Sequence, residues 1–109
     1  MSLIVSISGV RGIVGESLTP QVALAFAQAL GVCLGGGSVV ISRDGRPSGM
    51  MLRYAIQAGL TAAGCDLLDL GVAPTPTVGL AIRTTGSAGG VQVTASHNPA
   101  PYNGLKLFG

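Results

Sequence analysis

Short β-branched runs alternate with stretches of helical periodicity along the chain, and glycine or proline marks almost every junction. No other feature restricts the fold as much, because strand–helix–strand units joined by right-handed crossovers build a largely parallel sheet with helices on its faces. Strands are predicted at Leu3–Ile7, Ser38–Ser42, Cys65–Leu70 and Val91–Thr94, with a last alternating run at Leu105–Phe108. Thr19 caps a first helix with Pro20 at its opening position, and Gly35-Gly36-Gly37 ends it. Val22, Leu24, Ala25, Phe26, Ala29 and Leu30 form its expected buried side. Ser48 is placed to cap a second helix, Gly49 to Ala63, which buries Met50, Leu52, Ala55, Ile56 and Leu60 before Gly64 closes it. A third helix spans Pro76 to Thr84. The expected fold class is α/β: one domain over residues 1–109, three layers α/β/α, around a largely parallel (mixed) sheet.

Composition narrows the function. With 48% hydrophobic and 9% charged residues in 109, the chain can pack a core and is not a disordered segment. A net charge of +2, scattered basic residues and 4% aromatics argue against a nucleic-acid surface, and a small phosphorylated ligand suits them better. No apolar run reaches the roughly 20 residues of a membrane span. A mean hydropathy of +0.61 points to apolar surface that something else covers. Cys33 and Cys65 have neither CxxC spacing nor a histidine partner, so buried free thiols and a cytoplasmic location are expected.

Three glycines surround Arg11 in Ser8–Gly15, describing a loop in which the guanidinium either grips an anion or pairs with a carboxylate or carbonyl of the turn. The glycine run 35–37 precedes a strand, so it is a helix terminus and not a dinucleotide phosphate loop. In Ser42–Gly49, Arg43 and Arg46 are either a second anion clamp or partners that fix Asp44 beside the sheet. The prolines of Gly71–Thr77 make a stiff connector able to hold a neighbouring site.

The richest stretch is Gly89–Gly109, GGVQVTASHNPAPYNGLKLFG. Its apolar run stops at Ser96-His97-Asn98-Pro99, putting a hydroxyl at the end of a strand, where ligands sit in parallel sheets. Pro101, Asn103 and Gly104 read as turn formers, and Lys106 can then point back toward the loop. A serine needs a base or must already carry the transferred group. Ser96 has no G-x-S-x-G elbow and no aspartate after it, which disfavours a hydrolase triad. On spacing alone Ser96 is either a loop or capping residue or a phosphoserine whose charge Arg11, His97 and Lys106 balance.

Thr94-Ala95-Ser96-His97-Asn98-Pro99 with Tyr102-Asn103-Gly104-Leu105-Lys106 resembles the active-serine signature of the α-D-phosphohexomutases, the phosphoglucomutase and phosphomannomutase family. SGVRGIVGESLTP is similar to that family's first active-site loop, SRDGRPSGMML to its RDxRxS segment, and DLLDLGVAPTPTV to its strand and Pro-Thr-Pro turn. The resemblance implies the first domain of a four-domain enzyme that interconverts hexose 1-phosphate and hexose 6-phosphate through a bisphosphorylated sugar. It implies Ser96 as the phosphorylated residue, lending an oxygen to Mg²⁺. Arg11 and Lys106 would bear on the transferring group, Lys106 or His97 would act as acid and base, and Asn98 would shape the loop. The family's D-x-D-x-D-R metal loop, sugar-selecting loop and last phosphate loop are missing, so the chain reads as an N-terminal fragment, inactive alone, whose partners are a phosphorylated hexose and the remaining domains. A non-catalytic anion-binding or assembly module of the same fold is the competing expectation.

Overall fold

The computed structural model describes residues 4–6, 9–94 and 102–108. In chain order the elements are β1 (Ile4–Ser6), β2 (Gly9–Ile13), α1 (Pro20–Leu34), β3 (Gly37–Arg43), α2 (Gly49–Ala62), β4 (Cys65–Val72), α3 (Thr75–Thr85), β5 (Gly89–Val93) and β6 (Tyr102–Phe108). They build a six-stranded sheet of order β1-β2-β6-β5-β3-β4. β3 runs parallel to both β4 and β5, while β6 is antiparallel to β5 and to β2, and β2 to β1. The sheet is therefore mixed, with its parallel part where strand and helix alternate.

The path goes out from β3 to β4 and returns to β5, and right-handed connections in opposite directions need helices on opposite faces. α2 accordingly lies with α1 on one face, where Val39, Ile41, Val91, Val93 and Leu105 meet Ala23, Ala27, Leu52, Ile56 and Leu60. α3 covers the other face: a Cβ on Gly90 would stand 3.2 Å from Val78 and 3.0 Å from Ile82.

Helix termini follow local chemistry. The Thr19 hydroxyl accepts from the Val22 N–H at 3.2 Å, and Gly35 ends α1 in the left-handed region at φ 76. The buried side of α1 agrees with the sequence expectation at Val22, Leu24, Phe26 and Leu30, which pack against the core, but Ala25 and Ala29 are exposed and the fully buried positions are Ala23, Ala27 and Gly31. Small residues let α1 and α2 approach until a Cβ on Gly59 would lie 2.4 Å from the Leu24 carbonyl oxygen. Met50 is 38% exposed and not in the core, because it faces outward from the first turn of α2. Cys65 is buried as expected, but Cys33 is exposed near the end of α1.

Two further expectations change. The predicted glycine-rich loop around Arg11 contains strand β2, which pairs with β1 and with β6 from the far end of the chain. Asn103 and Gly104, read as turn formers, lie inside β6.

Gly59→Ala is expected to destabilise the protein. Alanine gains roughly 1 kcal/mol over glycine in a helix, but two backbones must separate, an overpacking cost of about 1–3 kcal/mol. Gly45, with open space around it, serves as the control, and Gly45→Ala should stay within about 0.5 kcal/mol of wild type. Urea unfolding of both variants checks the ranking, and equal stabilities would contradict the close helix contact.

Candidate functional site

All three parallel strands end at one edge of the sheet, and the connections that leave them are hydrogen-bonded to one another. After β3, the Asp44 N–H donates to the Val93 carbonyl at 3.0 Å. After β4, the Ala73 N–H donates to the Arg43 carbonyl at 3.1 Å, and after β5 the Thr94 N–H donates to the Gly104 carbonyl at 2.9 Å. Ser96, His97 and Asn98 belong to the connection from β5 to β6 and lie outside the described residues. Its two flanks, Thr94 and β6, are described.

β6 brings the cationic candidates together. Lys106 pairs with Gln92 of β5 on one side and with Gly9 of β2 on the other, and Arg11 pairs with Gly104. Arg11 and Lys106 are thus on adjacent strands; β6, with Lys106, lies beside β5, the strand that leads to Ser96, and β2, with Arg11, is one strand further away. Directly paired residues in an antiparallel ladder share a face, so Lys106 lies on the α3 side with Gln92. It is half-buried, and among the described residues no carboxylate comes within ion-pair distance of it.

The arginine cluster resolves differently at each member. Arg46 Nε contacts Asp44 Oδ2 at 3.2 Å, and Asp44 Oδ1 also accepts the Arg46 N–H at 3.0 Å, which is the turn-fixing arrangement. Arg43 packs its stem against Gly49 at the start of α2, and its charge acts on Asp69. Asp69 accepts Arg53 Nη2 at 2.7 Å and the Gly71 N–H at 2.8 Å. Burial alone would raise the Asp69 carboxyl; the Gly71 and Arg53 hydrogen bonds and the charges of Arg53 and Arg43 outweigh it and hold the group below the usual carboxylate range.

Ser48 precedes α2 as predicted, yet its hydroxyl makes no cap to the helix backbone. Instead it accepts Asn103 Nδ2 at 2.8 Å, with Asn103 fully buried. This bond ties β6 to the start of α2. Sequence reading missed this role for Asn103, and it missed Gln92, which is 2% exposed in a strand whose other members are small or apolar. Gln92 Nε2 donates to the Ala73 carbonyl at 2.7 Å, and its Oε1 accepts the Thr75 hydroxyl at 2.5 Å. The available signal was a single amide inside a run that reads as buried on both faces.

Among the described residues no group of three His, Cys, Asp or Glu side chains could hold a metal ion. Asp44 and Asp69 are engaged by arginines, and Asp66 is exposed away from the edge. These residues do not fit a Mg²⁺ site by themselves. No described helix is long and apolar enough to cross a membrane.

Comparison with known proteins adds to this geometry. Residues 3–109 match the family model described as phosphoglucomutase/phosphomannomutase, alpha/beta/alpha domain I. The chain is 54% identical over 101 residues to the probable phosphoglucosamine mutase of Methanopyrus kandleri, covering 93% of this chain and 22% of that protein. It is 47% identical over 100 residues to the phosphoglucosamine/phosphogalactosamine mutase of Sulfurisphaera tokodaii, covering 91% of this chain and 22% of the relative. A crystal structure of a phosphoglucomutase/phosphomannomutase family protein from Burkholderia thailandensis superposes with a TM-score of 0.84 at 38% identity, over 93% of this chain and 24% of that one. The chain therefore spans under a quarter of the length of these proteins.

The folded-state lowering of Asp69 sets a sign for pH dependence. Its contribution to stability is complete above the unfolded pKa, about 4, and is lost as pH falls through the lower folded value. Asp69→Asn is expected to be less stable than wild type at neutral pH, with the gap narrowing in acid below about pH 4. Urea unfolding from neutral pH into the acid range checks it, and a gap that does not change with pH would contradict the ion pair's role.

Proposed function

Because the chain belongs to the phosphoglucomutase/phosphomannomutase family as its α/β/α domain I, we propose that it supplies the phosphoserine wall of a hexosamine phosphate mutase. The names of the relatives, phosphoglucosamine and phosphogalactosamine mutase, support an amino sugar as substrate. The observation that supports the reading is the register around β6, which sets Lys106 beside β5, the strand leading to Ser96, and the Arg11 backbone on the far side of β6.

In the proposed reaction, phosphorylated Ser96 gives its phosphoryl group to the free hydroxyl of a hexosamine monophosphate. The P–Oγ bond breaks as the new P–O bond forms, the sugar hydroxyl passes its proton to His97 or to Lys106 in its neutral amine form, which then carries the positive charge, and Ser96 recovers a proton as a free hydroxyl. The resulting bisphosphate turns in the site and returns its other phosphoryl group to Ser96. Arg11 and Lys106 balance the charge that spreads over the transferring oxygens, and Asn98 shapes the loop. Mg²⁺ would be held through the phosphate of Ser96, with its other ligands outside this chain.

One wall cannot hold a sugar between two phosphate sites, and that confinement makes the transfer effectively unimolecular. We expect these 109 residues alone to give no turnover of glucosamine 1-phosphate, and a cytoplasmic setting for the complete enzyme. In the full-length polypeptide that carries this domain, assayed with Mg²⁺ and a bisphosphate activator, Ser96→Ala should lower kcat by at least about 10³-fold. Lys106→Ala should lower kcat by about 10²–10³-fold with a smaller change in KM. A wild-type rate in Ser96→Ala would overturn the reading, and an unchanged kcat in Lys106→Ala would remove Lys106 from it.

A further inference from the structure

The connector between β4 and α3 has few ways to anchor itself. Pro74 and Pro76 have no N–H, and the Ala73 N–H is already engaged by the Arg43 carbonyl. The Ala73 carbonyl and the Thr75 hydroxyl remain, and both are taken by the side chain of Gln92. To reach them the amide extends from β5 across β3, past its register mate Ser42, whose buried hydroxyl has no hydrogen-bond partner among the described residues. A buried amide is costly unless its donor and acceptor are both met, and the connector meets them.

The same residue pairs with Lys106 across the ladder, on the other side of β5 from the connector. With its amide drawn toward β4 by the Ala73 and Thr75 bonds, Gln92 turns its polar end away from this neighbour. We propose that Gln92 is a positioning residue: its clasp on Ala73 and Thr75 fixes the strand that enters the Ser96 loop and leaves the Lys106 ammonium uncaptured and available to that loop. The inference rests on the phosphoserine reading above. It assigns Gln92 no contact with substrate.

A glutamate of the same shape separates this role from simple packing. A carboxylate cannot donate to the Ala73 carbonyl, and it presents Lys106 with an ion-pair partner on the same face. In the full-length enzyme, Gln92→Glu should lower kcat by between about ten- and a hundredfold while KM stays within about twofold, the signature of reacting groups held slightly out of place. In a Lys106→Met background the same substitution should cost less than about threefold, because the two residues are coupled. Thr75→Val, which breaks the clasp from its other end, should lower kcat in the same direction, and Thr75→Ser should restore it.

Should Gln92→Glu fail to fold, Thr75→Val against Thr75→Ser decides the question. Folded Gln92→Glu and Thr75→Val enzymes with wild-type kcat would overturn the proposal, as would equal losses from Gln92→Glu with and without Lys106. Ser96→Ala separates the two levels. Loss of turnover there, with fast Gln92 variants, sinks the clasp alone, whereas wild-type turnover in Ser96→Ala sinks the phosphoserine reading and the clasp with it.

Discussion

Strand β6 joins the two ends of the chain. It hydrogen-bonds β5 on one side and β2 on the other, so residues near position 10 and residues near position 105 become neighbours in one sheet. Its register follows from burial. Leu105 and Asn103 are enclosed on the α1/α2 face, Leu105 in the apolar cluster and Asn103 through its bond to Ser48. A slip of one residue would turn Leu105 outward and drive Lys106 into that apolar layer, which strongly disfavours that pairing. The placement of a cation beside the serine strand is therefore a consequence of core packing.

A second constraint acts at the edge where the parallel strands end. The connection after β3 is held by the bond from Asp44 to Val93, that after β4 by Ala73 to Arg43 and by Gln92 to Ala73 and Thr75, and Thr94 after β5 by its bond to Gly104. Each bond contributes only about 0.5–1.5 kcal/mol net, yet together with two prolines they leave the edge few other conformations. Rigid support of this kind suits chemistry that needs reacting groups already in position. Stability and function meet here, because the bonds that settle the connectors also set the base of the Ser96 loop.

Local signals in the sequence were reliable where the physics is local. Thr19-Pro20 began α1, glycines 35 and 64 marked helix ends, and Asp44 paired with Arg46 within its own turn. Signals failed where the deciding partner is distant. Gly9–Ile13 has two glycines and reads as a loop, and it becomes a strand by pairing with β1 on one side and with β6, from the far end of the chain, on the other. Ser48 looked like a helix cap until Asn103 claimed its hydroxyl. Of the expected buried side of α1, Val22, Leu24, Phe26 and Leu30 pack against the core while Ala25 and Ala29 are exposed, the fully buried positions being Ala23, Ala27 and Gly31 where α2 comes close. Of the site, Lys106 was legible as a cation in an alternating strand. Gln92 was not, since one amide in a hydrophobic run has no meaning until its two partners on the β4–α3 connector are known.

The central claim is that the hydroxyl of Ser96 is where a migrating phosphoryl group rests, at the edge that β5, β6 and β2 jointly define. Peptide mapping by mass spectrometry tests it most directly, on the full-length enzyme incubated with a hexosamine 1,6-bisphosphate. The account predicts a single phosphate on the peptide containing Ser96, localised to that residue and discharged when excess hexosamine monophosphate is added. A phosphate on a different side chain, or an active enzyme that never carries one, would contradict it.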